Sequence, residues 1–290
     1  MCIETFILKY VFSNKTYVET VFVEEMCMDI KVDLVMWTYN SEKTLPAVLK
    51  RIEEVIPKQH INRKIMTDDN STDQTREIAK AYDWEVHLNN GKGVNDNTKT
   101  ALSLVTAPYF CSFEHDVILN PDWWQKISKH IEDPTVAVAQ GVRTSTNQAF
   151  RLIDHYSNQR TDFGHESLDN NIAKTEEVRK FGYNEVGTPP MMQAAGLKWV
   201  LDRSVVSDHV RNSLWRNIIH DYEMSLYFPT PHLRWQNLKL LLTSPIRAIH
   251  MAHKTKYPLM LVVYPLDRFA IFFGTVRKTK KTRIKPNDLN

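Results

Sequence analysis

The chain has 290 residues, of which 42% are hydrophobic and 24% charged, and its formal net charge is +3. These values are typical of one large globular domain, or of a domain with a small appendage. They give no indication of a nucleic-acid partner, because the charge is small and basic and aromatic residues do not interleave. Three scattered cysteines, Cys2, Cys27 and Cys111, argue against a disulfide framework and favour a reducing, cytoplasmic compartment.

Residues 1–30 are predicted to form a β-hairpin that precedes the main fold. Two β-prone runs, FILKYVF and TYVETVFVEE, lie on either side of the turn SNK. Charged residues recur through both runs, so the pattern is not that of a secretory signal.

From Val32 onward, short apolar runs alternate with segments of helical periodicity. This alternation predicts βαβ units and an α/β fold with a mostly parallel sheet flanked by helices. The predicted strands are VDLVMW, NRKIMT, WEVHL, PYFCSF and TVAVAQGV, and the predicted helices are SEKTLPAVLKRIEEVI, DQTREIAKAY, NDNTKTALSLVT and PDWWQKISKHI.

The second half of the chain is less regular. NQAFRLIDHYSNQRTDF is predicted to be a helix, and IIHDYEMSLYF a helix whose start carries His220, Asp221 and Glu223. NLKLLLTSPIRAIHMAHK is predicted to form one or two strands that end in His250 and His253.

Residues 257–274 are apolar but interrupted by prolines and by Asp267–Arg268, so a membrane-spanning helix is disfavoured. An interfacial helix pair or a core element fits this segment better. The tail RKTKKTRIK is either a solvated end or a contact with anionic lipid headgroups or another acidic partner. The predicted organisation is therefore a hairpin extension at 1–30, a main domain at 31–256, and an amphipathic, basic appendage at 257–290.

Polar clusters follow three of the predicted strands. TYNS follows the first strand of the main fold, DDNSTD the second and EHD the fourth. Ligands of open parallel sheets bind outside the carboxyl ends of the strands. The clusters therefore predict a ligand site at that edge.

Each cluster also has a simpler interpretation. Glu114 and Asp116 can hold a hard divalent cation, or belong to a solvated turn. Asp68 and Asp73 can be a turn former and a helix cap. Asp221 can be a general base, or a charge on an exposed first helical turn. The pair His250 and His253 is more often structural than metal-binding.

Taken together, VDLVMWTYNSEKTLPAVLKRI, IMTDDNSTDQTREIAKAY, NNGKGVNDNTKTAL and YFCSFEHDVILNPDWW resemble a family 2 glycosyltransferase with the GT-A, Rossmann-like fold. The resemblance covers roughly residues 32–143 and continues loosely to the late histidines. It implies an inverting transferase that uses a nucleotide-diphospho-sugar and a divalent cation, Mg²⁺ or Mn²⁺.

Carried over by position, the resemblance assigns roles to individual residues. Asp116 is the expected metal ligand, with His250 or His253 as a late histidine. Asp221 matches the family's catalytic base, and His220 stands where a carboxylate is usual, so either residue can act as the base. The predicted donor-binding residues are Thr38, Tyr39, Asn40, Glu42, Asp68, Asp69, Lys92, Glu114 and His115.

The expected acceptor is a hydroxyl or phosphate of a glycan or of a lipid-linked molecule, with peripheral contact at the membrane surface. Two other functions stay open. A nucleotidyltransferase of sugar phosphates would usually have a Gly-rich loop after the first strand, and TYNSEKT lacks glycine. A non-catalytic nucleotide-sugar-binding module would lack the metal acid or the base, and both Asp116 and Asp221 are present.

Overall fold

The computed structural model describes residues 2–12, 15–25, 30–89, 93–160, 166–182, 188–227 and 231–277. The predicted N-terminal hairpin is present as an antiparallel pair, β1 (Cys2–Phe12) and β2 (Lys15–Glu25). Cys2 lies opposite Glu25 and Phe12 opposite Lys15, so the two strands pair over their full length. Residues 13 and 14 of the predicted turn lie outside the described residues.

An eight-stranded mixed sheet forms the centre of the protein. Its order is β5-β4-β3-β6-β9-β8-β10-β7. Strands β5, β4, β3 and β6 are parallel, β9 runs antiparallel to both β6 and β8, and β10 is parallel to β8. The strands are β3 (Val32–Thr38), β4 (Ile61–Asp68), β5 (Glu85–Leu88), β6 (Tyr109–Phe113), β7 (Val117–Ile118), β8 (Val136–Ser145), β9 (Asn171–Lys174) and β10 (Lys198–His209).

Helices cover both faces of the sheet, as the alternating sequence predicts. In β3, Leu34 and Met36 pack into one apolar cluster and Val35 into the other, because successive side chains of a strand point to opposite faces. The covering helices are α1 (Leu45–Val55), α2 (Thr75–Ala81), α3 (Val94–Ser103), α4 (Trp123–His130), α5 (Gln148–Arg160), α6 (Thr175–Phe181) and α7 (Thr188–Ala194). The predicted α/β fold is confirmed.

The last described part of the chain consists of three helices, α8 (Leu214–Tyr227), α9 (Pro231–Thr255) and α10 (Met260–Val276). Their inner sides share an apolar cluster with α5, which includes Ile218 of α8, Met251 of α9 and Val263 of α10. Helices α8 and α10 approach closely at Gly274, where an added Cβ would lie 2.6 Å from the Tyr222 carbonyl oxygen. Among the described helices, none has both the length and the hydrophobicity needed to cross a membrane.

The prediction of strands within residues 237–254 is wrong, because this segment lies inside helix α9. Pro245 suggests a break, since proline has no N–H to donate to the carbonyl four residues earlier. The Ser244 hydroxyl instead donates to that carbonyl, Leu241 O, at 2.7 Å. The buried residues Ser244, Ala248 and Met251 recur at helical spacing, and their packing maintains the helix.

A second boundary also differs from the prediction. Helix α8 begins at Leu214, so His220 and Asp221 lie in its middle and not in its first turn. The simpler interpretation of Asp221, as a charge favoured at an exposed helix start, therefore does not apply.

Candidate active site

The loops that follow β3 and β4 are joined by hydrogen bonds. The Asn40 N–H donates to Ser71 Oγ at 2.9 Å, and Asn40 Oδ1 accepts from the Thr72 N–H at 2.9 Å. The Glu42 N–H donates to Asp73 Oδ2 at 3.1 Å. Asn40 has a φ of 46°, a left-handed conformation that asparagine tolerates well. TYNS and DDNSTD thus form one wall at the carboxyl edge of the sheet.

Two buried aspartates hold this wall from the inside. Asp68 accepts the Ser71 N–H at 2.9 Å and, more weakly, the Thr38 hydroxyl at 3.4 Å. Asp69 accepts from Asn89 Nδ2 at 2.8 Å. Asp68 is fully buried and Asp69 nearly so. In this structure both carboxylates already bind protein groups, and they fix the conformation of the loops.

The register of β7 against β10 creates a second cluster. His209 pairs with Val117, and the Val210 N–H donates to the Asp116 carbonyl at 2.8 Å. This pairing places His209 Nε2 3.0 Å from Asp116 Oδ2. One carboxylate oxygen each from Glu114 and Asp116 and one ring nitrogen of His209 lie within 4.8 Å of one another. Carboxylate and imidazole ligands suit Mn²⁺ and related divalent ions.

The contacts of His209 fit a cation at this position. Its Nε2 faces Asp116 Oδ2 and also the Arg211 Nε–H, which donates to it at 3.0 Å. A single ring nitrogen cannot accept from Arg211 and donate to Asp116 at once. If Nε2 accepts from Arg211, its other neighbour is a carboxylate with no proton between them, and a bound cation would relieve that repulsion.

Charged neighbours keep Asp116 ionised. Burial raises the pKa of this carboxyl. When the Nε2 proton of His209 is directed at Asp116, the charge and hydrogen bond of His209, together with the charges of His115 and Arg211, outweigh burial. The pKa of Asp116 therefore lies well below its ordinary value. An ionised carboxylate is the form that binds a metal ion.

Arg143 lies beside the carboxylate cluster. Its Nη1 is 2.5 Å from Glu114 Oε2 and also forms an ion pair with Asp169. Burial and the charge of Asp116 raise the pKa of Glu114, whereas the charges of Arg143 and His209 lower it. The lowering effects are larger, so the pKa of Glu114 lies below its ordinary value. Glu114 is thus ionised and already paired with Arg143, so Asp116 and His209 are the stronger candidates for metal ligands.

A cavity of about 280 Å³ extends from this cluster to α8. Its lining includes His209, Arg211, Asp154, His220 and Asp221. Arg211 Nη2 lies 2.9 Å from His220 Nε2. Burial first, and then the charges of Arg211 and His209, lower the pKa of His220 to about 4. His220 is therefore neutral at pH 7 and able to accept a hydrogen bond.

Asp221 shares its environment with a second carboxyl group, Asp267 of α10. Burial raises the pKa of Asp221 well above its ordinary value, and the charge and hydrogen bond of Asp267 raise it further. Asp267 is fully buried, and Arg268 donates to its Oδ2 at 2.7 Å. Its Oδ1 is buried without any other donor among the described residues, so a proton on Asp221 would satisfy it.

The model of "Glycosyl transferase family 2" matches residues 33–208 of the chain. This match covers more than half of the sequence. The chain belongs to glycosyl transferase family 2. The protein is therefore a transferase of the glycosyltransferase type, as the motifs indicate. Comparison with the sequences of curated proteins gave no match.

Solved structures share the family 2 architecture at low sequence identity. A mannosyltransferase from Pyrobaculum calidifontis, in complex with GDP-Man and Mn²⁺, aligns with a TM-score of 0.53 and 16% identity, over 84% of this chain and 73% of its own. Mannosyl-3-phosphoglycerate synthase from Rubrobacter xylanophilus aligns with a TM-score of 0.50 and 14% identity, over 64% and 68%. At such identities the likeness supports the GT-A fold alone.

This family 2 structure does not bring all the predicted site residues together. His220 and Asp221 line the cavity. Residues 114–116 lie next to it through contacts with the lining residues Arg143 and His209. Thr38, Tyr39, Asn40, Glu42, Asp68 and Asp69 lie in or behind the wall formed by the β3 and β4 loops. Lys92 lies outside the described residues.

The late histidines are placed elsewhere than the resemblance implies. His250 and His253 are exposed on α9, and the His250 ring lies against Tyr156, with centroids 6.3 Å apart. Within the described residues, the metal-ligand cluster contains His209 in their place. The two histidines are predicted at the end of a strand, which would reach the sheet edge. They lie instead near the C-terminal end of helix α9.

His209, Arg211, Asp154 and Asp267 are absent from the sequence-based prediction. None of them lies in the sequence motifs that carry the family resemblance. The run VSDHVR does carry a signal, because it places polar residues at the end of an apolar strand, as TYNS and EHD do. Asp267 has a different sequence signal: it is an acid within an apolar helix, and such an acid is rarely unpaired.

Proposed function

We propose that this protein transfers a hexose from a nucleotide-diphospho-sugar to an acceptor hydroxyl or phosphate, with inversion at the anomeric carbon and a divalent cation. The observation that carries the proposal is a single cavity lined both by His209, which contacts Asp116, and by Asp221. The structural neighbour in complex with GDP-Man and Mn²⁺ supports the same class of donor and cation.

The metal-side residues suit a diphosphate. When bound by Asp116 and His209, the cation would offset the negative charge of the leaving nucleoside diphosphate. Arg211 lines the same cavity and can donate to phosphate oxygens. The wall of β3 and β4 loops, with Thr38, Asn40 and Glu42, would hold the nucleoside part of the donor.

The part of the cavity lined by α8 suits proton removal. In its ionised form, Asp221 would accept the proton of the attacking acceptor hydroxyl, and the positive charge of Arg268 would offset the charges of Asp221 and Asp267. Neutral His220 accepts a hydrogen bond from Arg211 at Nε2, so its Nδ1–H would be the group left to orient the acceptor substrate. One displacement by this hydroxyl inverts the anomeric centre.

A thermal-shift screen tests the donor and metal assignment. UDP-, GDP- and dTDP-sugars are added with Mn²⁺ or Mg²⁺, and a ligand at one hundred times its Kd raises the unfolding free energy by about 2.7 kcal/mol. We expect Asp116→Ala and His209→Ala each to weaken metal-dependent stabilisation at least tenfold. The matched controls are Asp122→Ala and His253→Ala, since Asp122 and His253 are exposed and outside the cluster.

Two outcomes would contradict this assignment. One is a full shift in Asp116→Ala, and the other is a loss in His253→Ala equal to that in His209→Ala. Inversion is measured separately, by comparing the anomeric configuration of the donor with that of the product by NMR. A retained configuration rejects the single displacement.

A further inference from the structure

We propose that the outer sides of α8, α9 and α10 form a docking surface for an anionic lipid membrane. The surface, called here the outer apolar face, consists of exposed apolar side chains on all three helices. They are Trp215 and Ile219 of α8, Trp235, Leu242, Ile246 and Ile249 of α9, and Val262, Leu266, Phe269 and Phe273 of α10.

The positions of these residues along the helices show that the outer apolar face lies on the side opposite to the buried core. In α9, the buried residues Ser244, Ala248 and Met251 mark the inner side, whereas Leu242 and Ile246, 70% and 73% exposed, lie on the opposite side. Helix α10 is likewise apolar on both sides. A helix that is apolar all round normally has its whole surface covered. The described residues of this chain cover one side.

A groove of about 280 Å³ opens on this face between α8 and α10. The described residues that line it all have apolar or aromatic side chains, among them Trp215, Ile219, Phe269 and Phe273. Exposed apolar patches of this extent usually mark an interaction site. Tryptophan and phenylalanine are suited to the boundary between lipid headgroups and acyl chains.

The positive charge of the C-terminal segment favours an anionic membrane as the partner of the outer apolar face. Residues 231–290 contain 12 lysines and arginines but two acids, Asp267 and Asp288. Asp267 is fully buried. Exposed bases such as Lys239 and Lys254 lie on α9 itself. The sequence after α10 continues as RKTKKTRIK. An apolar face bordered by positive charge fits anionic headgroups above acyl chains. A second copy would bring the same positive charge against it and be repelled.

The position of the face relative to the cavity follows from α8. Ile219 is on the outer apolar face, whereas His220 and Asp221, which line the cavity, lie about 100° and 200° further round α8. The cavity of a docked protein would thus be separated from the membrane by about the diameter of one helix, roughly 10–12 Å. A lipid-linked acceptor hydroxyl or phosphate that extends this far from the bilayer can reach it. This consequence rests on the proposed function, whereas docking itself does not.

Vesicle flotation of the full chain tests the docking, without any donor or metal. The vesicles are phosphatidylcholine alone, or phosphatidylcholine with about one third phosphatidylglycerol. We expect flotation with the anionic vesicles, weakened by salt because the headgroup attraction is screened. Leu242→Ser with Ile246→Ser should reduce binding at least about tenfold. Met191→Ser, at an apolar position of α7 that is 51% exposed, is the matched control and should leave binding unchanged.

Bases on α9 contribute separately from the apolar side chains. Replacing the exposed Lys239 and Lys254 by glutamine should weaken binding about fivefold per lysine. Lys126→Gln on α4 is the control for charge. Circular dichroism and thermal unfolding establish that each variant is folded. If Leu242→Ser/Ile246→Ser is misfolded, Phe269→Ser replaces it.

Three results overturn the proposal. These are no flotation of the wild type with anionic vesicles, equal binding by the α9 variant and the Met191→Ser control, and a wild-type dimer in sedimentation that the α9 variant abolishes. The last result would assign the face to a second copy. Because none of these measurements involves glycosyl transfer, a failure here leaves the thermal-shift test of the donor and metal site unaffected.

Discussion

Asp267 is fully buried in an apolar helix, where an acid is costly unless it is paired. Arg268 occupies its Oδ2, and Asp221 is beside it. Burial and this neighbour raise the pKa of Asp221, so the base form of Asp221 is populated only as the pH rises through that raised value.

The pH profile of activity should report this pair. For the wild type we expect kcat/KM to increase as the pH rises through the raised pKa of Asp221. Asp267→Asn removes the neighbouring negative charge and lowers the pKa of Asp221, so the increase should move to lower pH by about one unit or more. An unchanged profile in Asp267→Asn would show that the pair does not control the base. Asp208→Asn, at an exposed carboxyl on β10, is the control.

At the scale of elements, α9 shows how a side chain compensates for a helix-breaking residue. Pro245 removes the N–H that Leu241 O needs, and the Ser244 hydroxyl takes its place at 2.7 Å. In the sequence, the dipeptide Ser-Pro suggests the end of a helix. In the folded protein, the serine hydroxyl supplies the hydrogen bond that the proline cannot donate.

A double-mutant cycle measures this compensation. Ser244→Ala leaves the carbonyl of Leu241 without a donor and should lower the unfolding free energy by about 1 kcal/mol. In a Pro245→Ala background the backbone N–H is restored, so the same Ser244→Ala change should cost little. The measurement is chemical denaturation of the four proteins. Equal costs in both backgrounds would refute the compensation.

At the scale of the molecule, the candidate site joins parts of the chain that are far apart in sequence. The proposed nucleoside-binding wall comes from the β3 and β4 loops, the proposed metal ligands from the ends of β6 and β10, and the proposed base from α8. The family match ends at residue 208, just before His209, Arg211 and Asp221.

Hydrogen exchange should therefore report all three parts together. With Mn²⁺ and the nucleotide sugar identified in the screen, we expect slower amide exchange in residues 38–42, 69–76 and 209–221. Asp116→Ala should abolish the change in all three regions. Protection confined to residues 38–76, or its persistence in Asp116→Ala, would show that the ligand does not span the cavity.

Local patterns were sufficient for much of this molecule. Apolar runs of strand length and helical periodicity are short-range features, and they predicted the strands β3 to β6 and the helices between them. The error at residues 237–254 has a local cause, since a proline in a segment rich in leucine and isoleucine suits several structures. Only packing of one side of the segment decides for the helix.

The sequence by itself determined the family, the α/β fold and the carboxylates at the sheet edge, because these depend on the order and spacing of neighbouring residues. The tertiary structure alone decided that His209, and not His250 or His253, lies beside Asp116. That contact joins residues 93 positions apart through the register of β7 on β10. It likewise placed Asp267 against Asp221, because the close approach of α10 to α8 at Gly274 depends on helix packing, which neither segment shows alone.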